Sequence, residues 1–446
     1  MKRKWISALL CTSLLAGLLV GCGGGDAKEE KGGKGDSGKK TLTMWCPPLG
    51  EDVKEDFEKL LKNFEKENNM ELEIEVIPWE NYEEKWSTSI GAGEGPDIGY
   101  MYAEMYPTYI SSGLVMDMTD LLEEEDYKEY KYLDRGEMMG GQYGMPIVTG
   151  VPFVLYYNED ILNELGETPP ETWEDFERIC KKATKDTDGD GKIDQYGYAV
   201  GLNNGGMSNL YILNAYFYSL LWQAGGDIYN DDLKSVKFNE KAGVEALEFF
   251  ESLKDYMPEN VLSLPAEDAF STIFGAGKAA FGVTRSAQNH ETLFAESYPE
   301  RTWHLLTSVT SDWDYVTSLK NEQYGTFGAA DSLSIMSNCE EPELAMKLIK
   351  YICGPEFMTE YHKIAPGAAL TVTEEYVGDP KMERIVTEDV DKWRPLQVGP
   401  CGSEILENLS AHIQSVMEGK QSAKEALDES AEFANETLDE YWAENE

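Results

Sequence analysis

Asp186, Asp188, Asp190 and Asp194 occupy positions one, three, five and nine of a loop with Gly191 at position six. That oxygen-rich spacing is the one calcium loops use. Position twelve, where such loops place a bidentate Glu, is Gly197. A calcium ion here would need an oxygen from elsewhere; without it the stretch is a solvated Asp-Gly turn. No other cofactor is required by the sequence. A second reactive group is Cys22. It closes the apolar run 5–20, which follows Lys2, Arg3 and Lys4, in the order Leu19-Val20-Gly21-Cys22. A small residue before a cysteine at the end of such a run is the bacterial lipobox pattern, in which the thiol takes a diacylglycerol and becomes the mature N-terminus.

Residues for covalent or acid–base catalysis are not assembled into any motif. The four histidines, His290, His304, His362 and His412, lack ligand spacing, and the chain contains no HExxH, nucleophile elbow or phosphate loop. Chance carboxylate pairs are unavoidable among 83 acidic residues, so a glycoside hydrolase is kept only as an alternative. No enzyme is expected. With 38 basic residues the net charge is −45, which repels phosphate backbones and anionic lipid surfaces. Cys46, Cys180, Cys339, Cys353 and Cys401 are widely spaced and form no CxxC. They fit neither a disulfide framework nor a zinc site.

The elements that must position any site can be read in order. Residues 1–21 are a signal segment and 22–40 a flexible Gly/Lys/Asp/Glu tether. Residues 41–46 form a strand, a helical stripe follows (Val53, Phe57, Leu60, Leu61, Phe64), and 71–77 alternate strictly. Strand, helix, strand at this spacing predicts a βαβ unit and a parallel sheet. Trp79, Tyr82, Trp86 and Ile90 continue as a helix stripe, read as core. The most apolar stretch, Tyr143 to Asn158, is interrupted by Pro146, Gly150 and Pro152, which no helix tolerates; it reads as a kinked lead into a buried strand that crosses between two lobes. Thr172-Trp-Glu-Asp175 and Ser422-Ala-Lys-Glu425 are capping boxes. Two further glycine-punctuated returns, Phe274 to Val283 and Tyr324 to Met336, precede the C-terminal helices.

In this order, Gly95-Pro-Asp-Ile98, Tyr143-Gly-Met-Pro146 with Tyr156-Tyr-Asn158, Pro170-Glu-Thr-Trp-Glu-Asp-Phe176, the GKAAF core within Phe274 to Phe281, and Gly419-Lys420 with Glu425-Ala-Leu427 make the chain resemble family 1 extracellular solute-binding proteins, the lipoprotein receptors of carbohydrate ABC importers. The resemblance implies an α/β, two-lobed periplasmic-binding-protein-like (type II) fold with three interlobe crossovers. The N-terminal lobe would comprise 41–149 plus 283–326 and the C-terminal lobe 152–279 plus 330–446, with hinges near Thr149 to Pro152, Ala279 to Val283 and Gly325 to Ala330. It implies a lipid-anchored monomer on the extracellular face of the cell membrane, which captures an oligosaccharide and delivers it to ABC permease subunits served by a separate ATPase. No nucleic acid is involved, and the membrane is met through the anchor alone. The alternatives are a surface hydrolase and a receptor for a non-sugar solute.

A sugar site needs aromatic faces for stacking and carboxylates, amides or Arg for paired hydrogen bonds, placed at strand ends. On that ground the expected ligand residues are Trp45, Asp97, Tyr102 and Glu104 in the first lobe and Trp222, Arg285, Trp313 and Trp393 later. Arg285 stands just past GKAAFGV, where many relatives carry a tryptophan. Trp86 and Trp173 lie on helical stripes and are assigned to packing.

Overall fold

A computed structural model describes residues 38–49, 52–91, 93–130, 132–203, 210–285, 312–364, 381 and 383–445. Cys22, the signal segment and all but the last residues of the tether lie outside them. The strands are β1 (Lys40–Cys46), β2 (Met70–Val76), β3 (Ile98–Met101), the short pair β4 (Glu137–Met138) and β5 (Gly141–Gln142), β6 (Met145–Asn158), β7 (Tyr196–Ala199), β8 (Ala279–Arg285), β9 (Trp313–Val316) and β10 (Gly328–Ile335). The helices used below are α1 (Val53–Asn68), α2 (Tyr82–Gly91), α3 (Tyr106–Ser111), α4 (Glu159–Leu165), α5 (Trp173–Ala183), α6 (Tyr218–Gln223), α7 (Lys241–Ser252), α8 (Pro342–Ile352), α9 (Pro355–Ile364), α10 (Gly402–Met417) and α11 (Ala423–Asn445).

The expected βαβ unit is present: β1 pairs parallel with β2 from Lys40–Met70 to Cys46–Val76, and with β3 on its other side. The first lobe's sheet runs β2-β1-β3-β10-β6. Side chains alternate between its faces. Leu42, Met44 and Cys46 meet α1, α8 and α9 through Phe57, Leu348 and Tyr361, while Trp45 turns to the layer of Tyr82, Trp86 and Tyr106. The second lobe repeats this plan on the far half of β6. Phe153, Leu155 and Tyr157 face a core filled by α5, α7, α10 and α11; Val154 and Tyr156 face Phe270, Trp313 and Trp393.

β6 therefore belongs to both lobes, as its prolines and glycine led one to expect. Its first half pairs antiparallel with β10, and residues 153–157 pair with β8. Register shifts interrupt the β6–β10 ladder between Gly328 and Ala330 and between Asp331 and Ser332. Such bulges loosen and twist a ladder; the first lies at the expected hinges Thr149 to Pro152 and Gly325 to Ala330, and the second just beyond them.

The lobe boundaries need correction. β8 is buried along Ala279–Thr284 and pairs with β6 and β7, so residues 279–283 are a strand inside the second lobe rather than a crossover. β9 likewise pairs with Leu155 to Asn158 of β6, which places 313–316 in the second lobe, not the first. α8 and α9 lie in the first lobe because their apolar stripe (Ala345, Leu348, Ile349, Ile352, Phe357, Tyr361) completes that lobe's core. The chain next appears in the second lobe's core at Ile385.

Both capping boxes form. Thr172 Oγ1 accepts from Asp175 N at 3.2 Å, and Ser422 and Glu425 exchange bonds reciprocally. The five cysteines 46, 180, 339, 353 and 401 are free thiols, four of them buried, and burial pushes Cys46 up to about 12. They pack as small apolar side chains.

Candidate functional site

The C-terminal ends of β2 and β3 release the chain into two short turns, Trp79–Asn81 and Ala103–Met105. At this end of a parallel sheet open α/β folds bind their ligands. Pro78 and the turn hold Trp79 off the helical stripe, and its ring is 41% exposed. It lies 5.6, 6.2 and 6.1 Å from the rings of Tyr82, Tyr100 and Tyr102. Tyr82 donates its hydroxyl to the Tyr100 carbonyl at 2.7 Å, Tyr100 donates to Asp331 Oδ2 at 2.6 Å, and Tyr102 donates to Glu83. The outcome is an aromatic shelf with an open face, edged by carboxylates.

Glu104 follows in the same turn, buried at 6% exposure. Its neighbours come from the other lobe. Asn214 faces it as a compensating hydrogen-bond donor, and Tyr218 feels its charge. Ser403, at the start of α10, donates to the Glu104 carbonyl at 2.8 Å. Loss of water pushes the Glu104 carboxyl up to about 7, with the Asp331 charge adding to the rise. Asp331, on strand β10 of the first lobe's sheet, is pushed up to about 6 by burial, against the pull of its Tyr100 bond and of Arg285. Arg285 is exposed at the end of β8 and is the basic group whose charge reaches both Asp331 and Tyr100. Glu83 and Glu407 raise the negative potential further, each lobe contributing one.

The structure thus brings together Tyr102, Glu104 and Arg285 of the expected set, and adds Trp79, Tyr100, Asn214, Tyr218 and Asp331. The rest are elsewhere. Trp45 is 7% exposed, edge-on to Trp86 at 5.6 Å with Lys85 over its ring. Asp97 lies at the start of β3, the opposite end, where Oδ2 accepts from Thr43 N and Oγ1 at 2.8 Å and staples β3 to β1. Trp222 is fully buried, its Nε1 donating to Asp227 at 3.1 Å and its face covered by Arg394. Trp393 is buried with Nε1 on the Ile385 carbonyl at 3.0 Å. Trp313 packs 5.4 Å from Tyr156 under Lys381. In each case the ring has core neighbours and no open face. Trp86 and Trp173 are packing residues as assigned: Trp86 is fully buried, and Trp173 stacks on Phe249 at 4.2 Å. Trp79 joins the stripe by its spacing to Tyr82 alone; it belongs to a separate short turn that begins after Pro78.

In the aspartate loop, one oxygen each from Asp186, Asp188 and Asp194 lies within 4.8 Å of the others. Asp190 is outside that group, its Oδ1 accepting from Lys192 N. Asp186 accepts from Gly189 N and Gly191 N, and Asp194 from Thr187, so backbone and hydroxyl donors already order the turn. Gly197 offers its N–H to Thr184 and no carboxylate. These three carboxylates would give a calcium ion part of the six to eight oxygens it takes.

Comparison with known proteins gives a consistent picture. Residues 59–387 match a family model described as bacterial extracellular solute-binding protein. The maltodextrin-binding protein of Bacillus subtilis is 25% identical over 77% of this chain and 75% of its own. A galactooligosaccharide-binding protein of the same organism is 23% identical over 97% of both. Among solved structures, an ABC substrate-binding protein from Listeria monocytogenes in complex with cycloalternan superposes over 90% of this chain and 99% of its own, at TM-score 0.69 and 22% identity. The cyclic alpha-maltosyl-1,6-maltose binding protein of Arthrobacter globiformis gives a TM-score of 0.71 at 18% identity, over 90% of this chain and 99% of its own. These likenesses show the two-lobed fold.

Proposed function

The chain belongs to the bacterial extracellular solute-binding proteins, and from that premise we propose that it captures a carbohydrate, an oligosaccharide, between its lobes and delivers it to an ABC permease. The observation that carries this reading is the Trp79 shelf. An exposed indole over Tyr100 and Tyr102 offers the apolar face on which a sugar ring's C–H surface stacks, and Glu104, Asp331 and Arg285 offer the charged partners its hydroxyls need. These groups come from both lobes, so a ligand touching all of them favours the closed arrangement and shifts the population toward it. The relatives named above that bind maltodextrin and galactooligosaccharide support the same class.

Its family is one of solute-binding proteins, and the proposal is accordingly binding without turnover. No helix among the described residues is long and apolar enough to cross a membrane. Attachment through a lipid on Cys22 is part of the proposal, supported by the lipobox order of residues 19–22. Hydrolysis of ATP falls to a separate subunit of the importer.

The test is calorimetry against a panel of oligosaccharides, with the products analysed afterwards. Stoichiometric binding with the glycan recovered intact is expected. Turnover would establish the hydrolase reading. Failure of every glycan beside tight binding of a peptide or polyol would move the protein to a non-sugar solute.

A further inference from the structure

Three polar atoms between the lobes have no hydrogen-bond partner although they are buried: Glu104 Oε1, Asn214 Oδ1 and the Tyr218 hydroxyl. Orphaned buried polar atoms are rare because each forfeits its hydration without replacement. A group of three is a stronger signal than one. They belong together, since Asn214 faces the Glu104 carboxylate and Tyr218 lies within its electrostatic reach. Asn214 also sits in the wide helical turn Leu213–Phe217, whose bonding skips to the fifth residue, a distortion found most often at functional sites.

Two of the three atoms, Glu104 Oε1 and Asn214 Oδ1, are acceptors alone. The phenolic oxygen can accept as well. When the Asn214 amide donates to one oxygen of Glu104, the other carboxylate oxygen and the amide oxygen are both left asking for hydrogen. A sugar hydroxyl brings one. A protonated amine brings three, along with a positive charge. Charge matters because the strongest ionic influences on Glu104 are Asp331 and Glu83, both negative. Arg285 acts on Asp331 and Tyr100 and is exposed. A neutral hydroxyl would leave the repulsion between Glu104 and its acidic neighbours in place; an ammonium group offsets it.

We propose that Glu104, Asn214 and Tyr218 form a subsite for a protonated amine, so that the preferred ligand is an amino sugar carrying an unsubstituted amine rather than a neutral or N-acylated one. The inference rests on the carbohydrate reading above and narrows it. Trp79 would stack the ring face, and the interlobe acceptors would select the substituent.

The experiment titrates the mature protein at pH 7.5 with glucosamine oligosaccharides, their N-acetylated counterparts, and glucose oligosaccharides of equal length. The amine series is expected to bind at least tenfold more tightly than both others. Glu104→Gln, which keeps the shape and removes the charge, should erase that preference. Tyr218→Phe should reduce it while leaving the unfolding temperature unchanged, because its hydroxyl makes no bond to lose. The groups that titrate around Glu104 are Asp331, Glu83, Tyr102 and Tyr218. Of these Asp331 shares the window in which amine affinity should fall as pH is lowered through 7 and Glu104 takes up a proton. Equal or tighter binding of the neutral or acetylated series would overturn the amine subsite and leave the carbohydrate reading standing. Binding of a simple diamine such as putrescine in place of every sugar would overturn the carbohydrate reading and leave the subsite. A preference that survives Glu104→Gln would overturn the role given to these residues.

Discussion

Two aromatic groups of this molecule are built from the same residue types and do opposite work. Around Trp79 the rings of Tyr82, Tyr100 and Tyr102 form a shelf whose outer face is open. Around Trp222 the rings of Tyr218 and Phe327 lie 5.8 and 6.4 Å away, Arg394 lies over it, and the indole itself is fully buried. The difference is what each backbone does next. Trp79 follows a proline at a strand's end; Trp222 stands in a helix whose neighbours close over it, with Gly325 so near that a Cβ there would sit 2.7 Å from the Trp222 Cβ. The same indole is a ligand platform in one place and a keystone in the other, and sequence composition cannot separate them. Substitution can.

The largest effect is expected at the sealed cluster. Trp222→Ala should cost about 3–5 kcal/mol of stability, the usual loss on emptying a fully packed indole site. Urea unfolding measures it. If the loss is below about 1 kcal/mol, the ring is not the packed keystone described.

Next comes pH, through the carboxyl that joins the two regions. Glu104 is raised from 4.5 to about 7 in the folded protein. Between those values the folded chain holds a proton that the unfolded chain has released. Stability is therefore highest below about 4.5, for this group, and declines as pH rises through 7, by on the order of 3 kcal/mol in all. Asp331, raised to about 6, acts in the same direction. Thermal unfolding of the ligand-free protein at pH 5 and pH 8 should show the decline, and Glu104→Gln should flatten most of it.

Much of this architecture is legible without coordinates. The alternation of Leu72, Ile74 and Val76 after a helical stripe forces a parallel βαβ unit, and Thr172 and Ser422 announce their helices. The prolines and glycine of β6 mark the crossing because they can belong only to an interrupted strand. Strand partners are a different matter. Nothing local in Trp313–Val316 says that it joins β6 beyond residue 155, since pairing is settled by which edge is free once the lobe has collapsed. For the same reason the lobe of α8 is not legible locally, its apolar stripe fitting any sheet face equally well. Of the residues proposed for the site, Tyr102, Glu104 and Arg285 are those the strand-end rule selects. Asn214, Tyr218 and Asp331 were not, because helix and strand interiors usually mean packing. Only burial without a partner distinguishes the first two, and a sequence does not record partners.

Removing the open ring should give a smaller effect, and on binding. Trp79→Ala is expected to weaken sugar binding by about 1–2 kcal/mol, near tenfold or somewhat more. Its effect on stability should be well below that of Trp222→Ala, because much of the ring is already in water. A large stability loss with unchanged affinity would erase the contrast between the two clusters.

The smallest effect belongs to Arg285, and it separates charge from stacking within the open region. The side chain is exposed, so its attraction for Asp331 is screened and is worth about 1 kcal/mol or less. Its action is nevertheless specific, since it pulls the Asp331 carboxyl down while burial pushes it up to about 6. Without Arg285 the carboxyl rises further, and more of it is protonated at a given pH. Arg285→Ala should therefore weaken binding most at the acid end and move the midpoint of the pH profile upward, whereas Trp79→Ala should lower affinity evenly across pH. Arg285→Lys tells the two functions of a guanidinium apart. It restores the midpoint if the role is charge on Asp331, and fails to restore affinity if the planar fork also bridges two sugar hydroxyls. A midpoint that stays put in Arg285→Ala would remove Arg285 from the site and leave it an ordinary surface residue.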